Sequence, residues 1–142
     1  MKIDELIANA IPILKNTGIV KKDEKTGEEY ILRSFRGQIS SFGAAVEMGS
    51  LLSAVAFFSN KGGSETDRPK LMQAIYMLIT NTIENCDEKA LLLYVAANNT
   101  LTLKRNVIDA AVALKLAMNA YELRDKDDKQ KSEGSGDGNE QS

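Results

Sequence analysis

Residues 35–59 read FRGQISSFGAAVEMGSLLSAVAFFS, a basic, glycine-containing opening followed by small and apolar residues with a single acid, Glu47. The stretch Phe42–Phe58 is apolar enough to raise the question of a membrane, since a spanning helix needs about 20 mostly apolar residues. Glu47 near its middle, with Gly49, Ser50 and Ser53 close by, breaks that pattern. Small residues four apart, Ser41 with Ala45 and Ala45 with Gly49, allow close backbone approach in any medium. The stretch therefore reads as a helical hairpin, near 38–47 and 50–59, bent at Gly49 and buried by the rest of the chain.

Working outward, helical spacing recurs on both sides. Ile3, Leu6, Ile7, Ala10 and Leu14 mark a core face on a first helix, Lys2–Lys15, with Pro12 predicting a kink or early end and Thr17-Gly18 a stop. Residues 19–34 are charged around Thr26-Gly27 and read as a solvated loop, in which Tyr30-Ile31-Leu32 can pair back on Ile19-Val20. Thr66 or Asp67 caps a fourth helix with Pro69 in its first turn and Leu71, Ile75, Leu78, Ile79 and Thr82 as its buried stripe. Asn85 or Asp87 caps a fifth, Glu88–Ala97. The last helix, 101–124, carries Leu103, Val107, Ala110, Ala111, Leu114, Ala117, Met118 and Tyr121 on one face. A second stripe, Leu101, Ile108, Val112 and Leu116, lies roughly opposite, which marks either a central helix or one covered by a partner.

The expected fold is all-α, a compact single-domain bundle of about five or six helices over residues 1–124. Residues 125–142 lack any apolar side chain, cannot offset their ordering entropy by burial, and are expected to form a disordered polar tail. The formal net charge of the 142 residues is −2; the tail holds six acids and three lysines, which leaves residues 1–124 near neutral. That balance permits a basic face without demanding one.

The chemistry is sparse. The chain has no histidine and one cysteine, Cys86, so imidazole bases, the usual triads and most zinc sites are excluded, and an internal disulfide is impossible. Cys86 reads as a small buried hydrophobe, and the lone thiol together with the absence of a secretory start points to the cytoplasm. Gly62-Gly63 lacks the Lys-Ser/Thr of a phosphate loop, and the pairs Glu28-Glu29 and Asp87-Glu88 read as solvation and capping. The chain is read as non-enzymatic, with no metal, cofactor or small-molecule substrate.

Basic residues gather at the predicted helix starts. Arg33 and Arg36 flank the break before the second helix, Lys61, Arg68 and Lys70 bracket the one before the fourth, and Lys104 and Arg105 open the last. Such positions let side chains and free helix amides meet phosphates together. Each base singly also reads as a solvated surface charge. Phe35, Phe42, Phe57 and Phe58 are expected in the core, which leaves little aromatic surface for stacking bases. Any contact would then be to the backbone, salt-sensitive and indifferent to sequence.

The words Phe35-Arg36-Gly37-Gln38-Ile39-Ser40-Ser41-Phe42-Gly43-Ala44 and Leu51-Leu52-Ser53-Ala54-Val55-Ala56-Phe57-Phe58-Ser59 resemble the small helical subunit of type III-B (Cmr) CRISPR effector complexes. The resemblance continues at Thr17-Gly18-Ile19-Val20, Asp67-Arg68 and Leu71-Met72-Gln73-Ala74-Ile75-Tyr76 and spans most of residues 1–124. It departs at Ser53, where many relatives carry proline, and in a last helix with fewer bases and no tryptophan. It implies a non-catalytic subunit in antiviral defence, stacking in several copies beside the other Cmr subunits along the guide–target RNA duplex. It further implies a grip on the target RNA backbone, with Arg36 inside the matching words. The alternative is a helical protein-interaction module without RNA contact, motivated by the second stripe of the last helix.

Overall fold

The structure, a computed structural model, describes residues 2–63 and 66–125; the expected tail beyond Asp125 lies outside the described residues. Among the described residues six helices make the body: α1 (Ile3–Asn16), α2 (Arg33–Met48), α3 (Leu51–Phe58), α4 (Arg68–Ile79), α5 (Ala90–Ala97) and α6 (Leu101–Ala117). The mostly helical bundle is as expected. To it is added a small sheet of three strands, β1 (Val20–Lys22), β2 (Glu29–Leu32) and β3 (Glu122–Arg124).

Helix α1 buries Leu6, Ala10, Ile13 and Leu14 and runs unbroken through Pro12. Ala8 and Pro12 are both exposed, so the carbonyl that loses its partner to the proline is on the water side. Thr17 closes the helix by donating its hydroxyl to the Ile13 carbonyl at 2.9 Å, and Gly18 follows with φ +78°, the left-handed conformation glycine adopts without strain.

Helix α4 is the centre of the molecule. It buries Leu71, Met72, Ala74, Ile75, Met77 and Leu78 rather than one stripe, because α1, α2, α3, α5 and α6 all pack around it. Full burial of each such aliphatic chain contributes about 1.5–3 kcal/mol, which makes this helix the main source of hydrophobic stabilisation per residue. The expected inner face of α6 is buried from Leu103 to Ala117, against α1, α2 and α4. Ser50 caps α3 and Thr100 caps α6, each hydroxyl accepting from the backbone N–H three residues on, at 3.2 and 3.1 Å. Helix α5 starts at Ala90, two residues later than expected, since Asp87 ties the Lys89 N–H into a turn at 2.7 Å.

The pairing of Val20 with Ile31 forms the expected hairpin, antiparallel, with Lys21 opposite Tyr30. The expected helix to Arg124 is corrected at its end. Helix α6 stops at Ala117, a 3-10 turn covers Met118–Ala120, and β3 then pairs parallel with β2, Tyr30 opposite Glu122. The physical reason lies in Arg124. Its guanidinium meets Asp23 at 2.9 Å, Glu122 at 2.9 Å and Glu28 at 3.6 Å and sits 4.4 Å from the centre of the Tyr30 ring. Continued helix would carry Arg124 away from all of these partners.

Candidate nucleic-acid interface

Strand β2 ends at Leu32 and α2 begins at Arg33 with no residue between them. The second helix thus starts five residues earlier than expected, and Arg33 and Arg36 fall in its first turn rather than in a preceding break. That turn carries no acid and no side-chain cap, so two guanidiniums stand at the positive end of the helix dipole. Arg33 Nε donates to Asp125 Oδ1 at 2.8 Å, and Arg36 Nη1 donates to Asn119 Oδ1 at 2.8 Å. The Arg33 side chain is 59% exposed, so its ion pair is one that water and salt weaken.

The other candidate bases are placed elsewhere. Asn119 lies just beyond the C-terminal end of α6, whereas Lys104 and Arg105 are in its first turn, ~20 Å away at ~1.5 Å per residue. Arg68 is turned inward: its Nη2 donates to the carbonyls of Asn60 and Lys61 at 2.6 and 2.8 Å, and its guanidinium covers the rings of Phe57 and Phe58. Lys61 is exposed beside it. The Lys70 ammonium packs over Gly18, 3.4 Å from where a β-carbon would stand. The seven bases therefore form no single patch; they fall at three helix starts, of which the first turn of α2 carries Arg33 with Arg36.

The second stripe of α6 is open. Leu101 is 64% exposed, Val112 46% and Leu116 42%, with Ile108 half-buried, so the bundle leaves this face uncovered even though α6 packs against three helices on its other side. Phe57 corrects another expectation, being 63% exposed rather than in the core. It walls a shallow apolar depression of about 260 Å³ between α2 and α3, together with Ala45, Gly49, Ser53 and Phe58. Met48 and Leu93 are exposed as well. The missed signal is compositional: α3 and α5, LLSAVAFF and ALLLYVAA, are apolar all round, and a short helix at the edge of a bundle buries only one side.

Cys86, expected as a small buried hydrophobe, is half-buried and packs against the edge of the core. Its sulfur lies 3.8 Å from the Gln73 carbonyl, and burial pushes the thiol above its ordinary range, away from the reactive thiolate. Among the described residues no group of His, Cys, Asp and Glu is arranged to hold a metal ion, and no helix is long and apolar enough to cross a membrane. Compared with models of protein families, with curated proteins and with solved structures, the chain finds no match.

Proposed function

We propose that this chain is a non-catalytic small subunit of a type III-B (Cmr) CRISPR effector ribonucleoprotein, cytoplasmic, that holds the target RNA backbone in antiviral defence. The observation that carries the reading is the pair Arg33 and Arg36 on the first, acid-free turn of α2, at the start of the sequence block that resembles that family. Two guanidiniums at a helix N-terminus suit phosphate oxygens and read no base, as a subunit requires when guide pairing supplies the sequence specificity. Copies of the chain would stack beside the other subunits along the guide–target duplex. The inward-turned Arg68 is withdrawn from the contact set, since its Nη2 already serves the Asn60 and Lys61 carbonyls and its Nε is buried.

The test is R33E/R36E in the reconstituted complex, with target-RNA affinity measured at low salt. A loss of tenfold or more with a reduced salt slope is expected, because each lost phosphate contact removes about one released counterion. Unchanged affinity removes the α2 turn from the RNA interface.

The exposed Leu101, Val112 and Leu116 favour a second reading, a helical protein-interaction module that makes no RNA contact. The two are separable, because the apolar stripe and the arginine pair lie on different residues and can be changed one at a time.

A further inference from the structure

The outer stripe of α6 runs through Leu101, Arg105, Ile108, Asp109, Val112 and Leu116, half-buried at Ile108 and exposed at the other five. Steps of three and four residues keep these positions on one side of the helix. From end to end the stripe measures ~22 Å at ~1.5 Å per residue. Its spacing is the same read in either direction. Leu101 and Leu116 stand equally far from the midpoint between Ile108 and Asp109, and so do Arg105 and Val112. The apolar run is interrupted by one cation and one anion, and among the described residues neither Arg105 nor Asp109 takes part in an ion pair. A cation in the middle of an apolar stripe needs a carboxylate from whatever covers it, because a charge buried without a partner is costly.

We propose that the occupant of this stripe is the same stripe of a second copy, the two α6 helices lying antiparallel about a two-fold axis that passes between Ile108 and Asp109. The proposal rests on the reading of α6 as a protein contact and is independent of the RNA reading. The orientation follows from the charges. In an antiparallel pair centred there, Leu101 of each copy meets Leu116 of the other. Arg105 then lies ~4.5 Å along the axis from Asp109 of the partner subunit, within reach of a long guanidinium side chain. Two-fold symmetry forms that ion pair twice, so both charges of both copies are matched. A parallel pair in register sets Arg105 against Arg105 and Asp109 against Asp109, which repels. An isologous contact of this kind closes on itself and gives a dimer. A single helix face falls at the small end of protein interfaces, below about 1,200 Å² in total, which makes the dimer weak and concentration-dependent.

The experiment is sedimentation velocity on the full-length chain from about 10 to about 500 µM, beside R105D, D109R and the double exchange R105D/D109R. Both side chains are exposed, so all three variants are expected to fold, and circular dichroism checks that they do. The unmodified chain is expected to show a monomer–dimer equilibrium. Each single reversal sets like charges together and should weaken association at least about tenfold. The double exchange restores both ion pairs with their signs swapped and should recover association to within about threefold of the unmodified chain. A chain that stays monomeric over the whole range overturns the pairing. Dimers that ignore the single reversals, or a double exchange as weak as either single, overturn it equally, because the contact then lies elsewhere or in another register. The reading of α6 as a protein contact falls on a different result, full assembly of folded V112D/L116D in the reconstituted complex.

Discussion

Arg68 lies over Phe57, its guanidinium carbon 4.6 Å from the ring centre, while the same group donates to the carbonyls of Asn60 and Lys61. One side chain thus closes the turn after α3 and shields an aromatic ring that the core leaves open. R68A is expected to cost about 1–3 kcal/mol in urea denaturation, the sum of a charge-assisted hydrogen bond and a partly exposed cation–π contact. R68K, which keeps the charge and loses the planar fork, should recover less than half. A cost below about 0.5 kcal/mol for R68A would show that the contacts are incidental.

Asp23 accepts from the backbone N–H of Lys25 at 2.8 Å and pairs with the Arg124 guanidinium at 2.9 Å. The Lys25 N–H first, and Arg124 next, hold its carboxyl below the ordinary value of 3.8. A carboxyl lowered on folding contributes stability that is complete above its unfolded pKa and is lost as pH falls through its folded one. Thermal midpoints of the unmodified chain should therefore decline below about pH 4, whereas D23N starts lower at neutral pH and declines less steeply. Parallel acid limbs for the two proteins would refute the assignment.

Val112 and Leu116 are exposed, so V112D/L116D should leave the fold in place, with the unfolding free energy within about 0.5 kcal/mol per substitution. Circular dichroism melts check the fold, and native mass spectrometry of the reconstituted complex checks the interface. A folded variant that fails to assemble establishes α6 as a protein contact. Full assembly of the folded variant removes it.

Gly18 has φ +78° directly after α1, and the Lys70 ammonium lies over it. G18A should cost about 1–2 kcal/mol, the strain of placing an alanine in the left-handed region. Equilibrium denaturation measures it, and stability equal to that of the unmodified chain would mean that the α1 terminus rearranges freely.

The elements that sequence revealed are those in which spacing and stop signals agree. The inner face of α6 from Leu103 to Ala117 and the Thr17-Gly18 stop are local patterns, and each has its physical cause within a few residues. What stayed hidden depends on distant partners. Nothing between Ala117 and Arg124 breaks a helix by itself; the chain turns there because Asp23, a hundred residues earlier, offers Arg124 a carboxylate. The open Phe57 and inward Arg68 were illegible for the same reason, since an eight-residue helix apolar all round does not disclose which side faces the bundle. For the candidate site, the sequence picked out Arg33 and Arg36 but grouped them with five bases that the fold separates.

The direct passage from Leu32 of β2 to Arg33 of α2, with no linker residue, makes the hairpin and the arginine turn a single lever. A displacement of the strand end at Leu32 therefore moves the backbone of the first turn of α2, which carries Arg33 and Arg36. A neighbour gripping the hairpin would thereby aim Arg33 and Arg36, and the strength of an anion contact at one end would register the mechanical state of the other.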